Sequence, residues 1–334
     1  MSIRIKSIEY YLPPNKVSNA DLQVKHPDWD MDKVGSKSGV YSRHIADNET
    51  AFDLAKIAIS NLFSSGLINK SEIDGIIFCT QSPDYIMPSN AFLIHKEFSF
   101  DSSVWAFDYN LACSGFIYGL AISRGMLETG LARNILLINA DTYSKFINPL
   151  DRSTTVLFGD AAAVSVIGLS EEESIIDISL SASGSEFKSF YIPAGGSRLP
   201  KNEKTKLEKK DIAGNVKSLE NIHMDGFAVW KFIAKIVPNQ ILDLLERNAL
   251  SIADIDQFVF HQASKLTIDS LVKELDINTT KVYTNLEQLG NTVSASIPIA
   301  LKDALDKKII KKGNLVMLSG FGVGLSWGSA IIKL

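Results

Sequence analysis

Only two cysteines occur in the 334 residues, Cys79 and Cys113. Two are too few for a disulfide framework, so an apolar core must hold the fold, and a reducing, cytoplasmic compartment is expected. Long hydrophobic runs are missing as well. Residues 161–169 form one of the longest, far short of the about 20 residues that span a bilayer as a helix. The opening Met1-Ser2-Ile3-Arg4-Ile5-Lys6 reaches charge at once, without the apolar stretch of a secretory leader. Neither sign of charge dominates: the formal net charge is −4. Such a balance gives no general attraction to nucleic acid or anionic membranes, so neither is an expected partner. The five histidines, His26, His44, His95, His223 and His261, show no metal-ligand spacing, and no metal is expected. Hydrophobic residues at 46% and charged residues at 22% describe an ordinary soluble globular chain, long enough for two domains or one large one.

Strand and helix patterns alternate through the first half. Residues 3–11 alternate in polarity and stop at Pro13-Pro14, which predicts a strand. Ser18-Asn19-Ala20-Asp21 predicts a capped helix start. Residues 26–43 are polar and broken by Pro27, Gly35 and Gly39, so loop with short helical pieces is expected. Leu54, Ile57, Ala58 and Leu62 recur at helical spacing. Residues 73–79 predict a buried strand, 89–98 a helix, 104–107 a strand and 134–139 another. This alternation argues for an α/β protein with buried sheets.

The second half repeats the first. Residues 253–261 match 71–79, which pairs His261 with Cys79 at an offset of 182; residues 314–319 match 134–139 at an offset of 180. Residues 282–285 match 104–107 at an offset of 178, which carries Cys113 onto Asn291. Three matches in order at nearly one offset predict a duplicated α/β unit. The join is expected near Glu171-Glu172-Glu173-Ser174, dividing the chain into 1–172 and 173–334. Residues 201–211, with five lysines, read as a solvated loop.

The chain is organised around Cys113, in Asn110-Leu111-Ala112-Cys113-Ser114-Gly115. An apolar run, Val104-Trp105-Ala106-Phe107, leads in. Phe116, Leu120, Ile122 and Met126 return at helical spacings on the way out. Cys113 is therefore predicted on a tight strand-to-helix turn, with small neighbours that let another molecule reach the sulfur. A thiol at a helix N-terminus meets unpaired N–H groups and the positive end of the dipole, which favour the thiolate and covalent acyl chemistry. His261 at a strand end and Asn291 before the small-residue stretch 292–298 would face it if the halves pack about a two-fold axis. Taken singly, Cys113 also reads as a buried inert thiol, His261 as a core histidine and Asn291 as a helix cap.

These stretches, with His261-Gln262-Ala263, Gly290-Asn291-Thr292 and the glycine-rich run 320–330, resemble the thiolase superfamily. More narrowly they are similar to β-ketoacyl-acyl-carrier-protein synthase III. Residues 39–45 and 158–163 fit the same family, and the resemblance runs in order from Tyr10 to Leu334. It implies a thiolase-like five-layered α-β-α-β-α fold built from two duplicated halves, and a homodimer. It also implies an acyltransferase of fatty-acid or related acyl-chain biosynthesis with no cofactor beyond its thioester substrates, on acyl-CoA or acyl carrier protein. Cys113 would take the starter acyl group. His261 and Asn291 would hold a malonyl thioester and stabilise the enolate formed on its decarboxylation. The backbone N–H groups of Cys113 and Val323 would form an oxyanion hole, with Gly322–Gly324 allowing close approach. Cysteine-dependent transfer to an amine, an alcohol or another carbanion stays open, as does a non-catalytic binding homologue.

Lys37, Arg152, Lys231, Lys265 and Lys273 are candidates to meet the phosphates of the carrier arm or an acidic carrier. Some positions depart from the family. Lys33 stands where tryptophan is common, Lys37 and Leu266 where arginine is common, and Ser264 where asparagine is common. These changes favour a starter delivered by carrier protein, or an unusual starter, over one delivered by coenzyme A. Met87 stands where an aromatic residue often reaches across a dimer interface to limit the starter. Its flexibility predicts a pocket for a longer or branched chain.

Overall fold

A computed structural model describes residues 2–172 and 174–334. The first strand, β1 (Ser2–Tyr11), buries Ile3, Ile5 and Ile8. Strict alternation would have turned Ile8 outward, but the register shifts between Ile5 and Ser7 and returns it to the core. Four more strands join β1: β2 (Gly75–Cys79), β3 (Trp105–Tyr109), β4 (Asn134–Asp141) and β5 (Ala161–Ser170). Their order across the sheet is β1-β5-β4-β2-β3, and β5 runs antiparallel to both its neighbours. The second sheet contains β6 (Ile175–Ala182), β7 (Gln257–Phe260), β8 (Leu315–Gly322) and β9 (Ser326–Lys333), in the order β7-β8-β9-β6.

The two orders are the same path drawn twice. β6 takes the place of β1, β9 that of β5, β8 that of β4 and β7 that of β2. Where β3 flanks β2, the second half has a single parallel bridge from Val282 to Phe258. That bridge corrects the alignment of the repeats. Ala106 faces Ile76, so Val282 corresponds to Ala106 rather than to Val104. The helix starts at Gly115 and Ser296 pair Cys113 with Ser294 instead. Asn291 thus shares a region of the fold with Cys113 but is not its residue-for-residue counterpart, because the connecting loops differ in length. The expected join includes Glu173, which lies outside the described residues.

Five helical and sheet layers follow from which faces are apolar. Helices α1 (Ala51–Ser64) and α2 (Asn90–Glu97) cover one face of the first sheet. There Leu54, Ala58, Leu62 and Ile94 meet Ile76, Phe78, Leu136 and Ile138. Helix α3 (Gly115–Glu128) lies between the two sheets, and so does a later helix that starts at Ser296 and ends at Asp306. Phe116, Ile117 and Leu120 join Ile297 and Leu301 there with Ile77, Leu137, Val259 and Leu318. The far face of the second sheet is covered by α4 (Gly226–Arg247) and α5 (Lys265–Glu274); the helix Ser296–Asp306 is α6. Fully burying each such Ile, Leu or Phe stabilises by about 1.5–3 kcal/mol, so the central layer holds the halves together. The caps agree with the sequence: Ser18 and Asp21 form a capping box, as do Thr50 and Asp53 ahead of α1. Residues 201–211 are largely exposed loop, with Lys209–Lys210 pairing Val216–Lys217 as a short ribbon. No helix of the described residues is long and apolar enough to cross a membrane.

Candidate active site

Cys113 occupies the turn between β3 and α3, where the Gly115 N–H donates to the Ala112 carbonyl at 2.7 Å. It is a free thiol, only 3% exposed. Its ceiling is the end of β8. A Cβ on Gly322 would sit 2.9 Å from the Cys113 Cβ and 3.0 Å from its Sγ, and one on Gly320 would sit 2.6 Å from the Cys113 carbonyl oxygen. Glycine is what lets this strand pass over the thiol. The Ser114 and Ser326 hydroxyls bond at 2.7 Å, and the Ser326 hydroxyl also donates to the Val323 carbonyl at 2.7 Å. The Val323 segment is thereby tied to the cysteine turn.

His261 follows β7 and is 1% exposed. Its backbone N–H donates to the Ser319 carbonyl at 2.8 Å, and its ring lies edge-on to Phe321 with centroids 5.7 Å apart. The ring Nδ1 is 2.5 Å from the Ser296 hydroxyl. Asn291 is clamped across the halves: its N–H donates to the Leu157 carbonyl at 2.8 Å and its carbonyl accepts the Gly159 N–H at 3.0 Å. A Cβ on Gly290, whose φ is +67°, would lie 2.6 Å from that same Leu157 oxygen. The Asn291 Oδ1 accepts the Val293 N–H at 2.9 Å, which leaves the two amide hydrogens on Nδ2 for another acceptor. Val293 holds φ +53°, a left-handed conformation that a β-branched residue rarely adopts and that tends to collect at functional sites.

Cys113, His261 and Asn291 line one cavity of about 140 Å³, walled by Phe158, Phe190, Met224 and Trp230. Electrostatics there are set by burial. Desolvation pushes the His261 ring down to about 3, so it is a neutral imidazole. Asp141, buried beneath the site, is pushed up to about 7 by desolvation, opposed by bonds from Ser294, Gln81 and Thr80. Burial also pushes the Cys113 thiol up; the Asp141 charge adds to this and its own backbone N–H opposes it. Burial and the Asp141 charge thus oppose the thiolate that the helix N-terminus favours. The rate of Cys113 alkylation by iodoacetamide should rise about tenfold per pH unit from pH 6 to 9 with no plateau. A plateau below pH 8 would show that the helix field prevails.

The cationic candidates lie elsewhere. Lys37 is exposed on the helix Met31–Ser38, Lys231 on α4, and Lys265 and Lys273 on α5; Lys265 is paired with Asp269. Arg152 is half-buried and opens the short helix capped by Asp151. None of the five is among the described residues that line the cysteine cavity. Ser264 does line it, and its hydroxyl caps α5 by accepting the Thr267 N–H at 3.3 Å. Leu266 and Trp230 complete an apolar lip. Met87 is 79% exposed beside Tyr85 and Ile86. A second cavity of about 340 Å³ shares the Phe190 wall and is lined by Tyr143, Phe187, Tyr191, Ile222 and Val323, with Gln81 and Asn110. Sequence reading missed Ser296, Asp141, Trp230 and Tyr143, since their neighbours in space are remote in the chain.

Known proteins resemble this chain along its whole length. The family model for the C-terminal region of 3-oxoacyl-[acyl-carrier-protein] synthase III matches residues 245–334, and a second model for that synthase matches 107–184. A β-ketoacyl-[acyl-carrier-protein] synthase III from Caldanaerobacter subterraneus is 39% identical over 97% of this chain and 95% of its own. A crystal structure of a 3-oxoacyl-(acyl-carrier-protein) synthase III superposes with a TM-score of 0.97 at 36% identity, covering all of both chains. The corresponding enzyme of Aquifex aeolicus does so with a TM-score of 0.87 at 30% identity, again over the whole of each chain. The chain therefore belongs to the β-ketoacyl-acyl-carrier-protein synthase III family, acyltransferases of the thiolase fold.

Proposed function

We propose that this chain joins a starter acyl group to a malonyl unit by decarboxylative Claisen condensation, with Cys113, His261 and Asn291 as its catalytic residues. The observation that carries the reading is the shared cavity, to which the half 1–172 brings the cysteine and the half 173–334 brings the two hydrogen-bond donors. The Cys113 sulfur attacks the starter thioester, forms an S–acyl bond and releases the carrier thiol, which takes the cysteine proton. A malonyl thioester then enters and loses carbon dioxide. The electron pair of the broken bond moves onto the thioester oxygen as an enolate, which His261 and the Asn291 Nδ2 stabilise by donated hydrogen bonds. The enolate carbon attacks the acyl carbonyl on Cys113, and the oxyanion so formed rests against the backbone N–H groups of Cys113 and Val323. Collapse breaks the C–S bond, releasing a 3-oxoacyl thioester and the Cys113 thiolate, which takes up a proton from water to restore the thiol. No group beyond the thioester substrates is needed for this sequence.

The second cavity, beside Phe190, is read as the starter pocket. The exposed Tyr85, Ile86 and Met87 support a homodimer that covers them, since such patches on a soluble chain mark contact surfaces. The apolar lip and the outlying lysines support starter delivery by acyl carrier protein over coenzyme A. Intact-protein mass spectrometry with acetyl to octanoyl donors, each on both carriers, tests these points. Each buried methylene is worth about 0.8 kcal/mol, roughly fourfold. Hexanoyl or branched chains should therefore load on Cys113 at least about tenfold faster than acetyl. Strict acetyl preference would sink the long-chain pocket, and faster loading from coenzyme A would sink the carrier assignment.

A further inference from the structure

We infer that Ser296 is a positioning residue that holds His261 in the tautomer whose proton sits on Nε2. The inference rests on the condensing role proposed for His261.

Ser296, at the start of α6, is 1% exposed. Its Oγ accepts the Gln262 backbone N–H at 3.3 Å and lies 2.5 Å from the His261 Nδ1. A hydroxyl has one hydrogen to give. No other acceptor for that hydrogen is found among the described residues. A buried hydroxyl left without an acceptor is penalised by about 1–3 kcal/mol, so the hydrogen goes to Nδ1. A neutral imidazole that accepts at Nδ1 carries its proton on Nε2. With Nδ1 spent on Ser296, Nε2 is the ring nitrogen left for the cavity shared with Cys113 and Asn291.

The consequence for the reaction is one of sign. An Nε2–H offers a donor to the oxygen on which enolate charge grows. The other tautomer would turn a lone pair toward that oxygen and repel it. Phe321 assists by packing against the ring, and Gln262 by bracing the backbone at Phe260 and Asn285. The Gln262 side chain donates to the Phe260 carbonyl at 2.7 Å and accepts the Asn285 N–H at 3.0 Å, while the Phe321 edge limits ring rotation.

The test uses two readouts. In the full-length protein labelled with 15N-histidine, the His261 signals are identified by their loss in His261→Ala. They should show an unprotonated Nδ1 and a protonated Nε2, and a protonated Nδ1 would overturn the inference without any variant of Ser296. In Ser296→Ala, malonyl decarboxylation should fall about 10–100-fold, the usual scale for a lost orienting partner. Acyl loading of Cys113 should stay within about twofold, since that half-reaction does not use the ring. Ser296→Thr, which keeps the hydroxyl, should restore most of the rate. Unchanged decarboxylation in Ser296→Ala, alongside its loss in His261→Ala, overturns the positioning role alone. Unchanged decarboxylation in His261→Ala overturns the condensing role itself.

Discussion

Cys113→Ala should gain no acyl mass from any donor and should lose condensation by about 10⁴-fold or more, the scale seen when a covalent nucleophile is removed. Its decarboxylation of malonyl thioester should persist, because His261 and Asn291 are untouched. The alternative thiol cannot substitute. Cys79 is fully buried, its Sγ donates to the Leu111 carbonyl at 3.1 Å, and burial pushes its thiol up as well. Alanine removes one sulfur beneath Gly322 and adds no atom, so the variant should still melt cooperatively by circular dichroism, within a few degrees of the wild type. An acyl adduct on the alanine variant would show that another residue carries the starter. Absence of any adduct on the wild type would favour a binding protein that keeps the fold without the chemistry.

His261→Ala and Asn291→Ala should divide the reaction at the opposite point. Both should load the starter on Cys113, and both should lose malonyl decarboxylation by about 10²–10³-fold, as expected for one missing oxyanion donor. The two losses should not add in the double variant, because the donors serve one oxygen. Asn291→Ala also removes the acceptor for the Val293 N–H, and His261→Ala the acceptor for the Ser296 hydroxyl, so both melts should fall by several degrees. Release of radiolabelled carbon dioxide from malonyl thioester, measured beside acyl loading by mass, separates the two half-reactions. Decarboxylation intact in both single variants would exclude decarboxylative condensation and leave acyl transfer to an amine, an alcohol or another carbanion.

Much of this was legible along the chain. Buried strands announce themselves by β-branched runs, so residues 73–79 and 134–139 read correctly, as did the cap at Ser18. Cys113 was legible because an apolar run, a cluster of small residues and a helical pattern meet at one point. The repeat was visible in three short matches, yet its register was not. Short apolar strands look alike when slid by one or two residues, and the pairing of Val282 with Phe258 was needed to settle the offset. The partners of the candidate cations were not legible, since position in a motif does not place the end of a long, flexible side chain; Lys265 ends on Asp269.

Composition and pattern by themselves determined the α/β class and the duplicated path and singled out Cys113 as the candidate nucleophile, because these depend on local periodicity and on residue type. Only the tertiary structure decided the state of the site. Sinking Cys113 and His261 into a cavity between two sheets strips them of water, and desolvation then raises the thiol and leaves the imidazole neutral. The proton on that imidazole is placed by Ser296, separated from it by 35 residues. A contact of that kind exists only once α6 is packed against the end of β7.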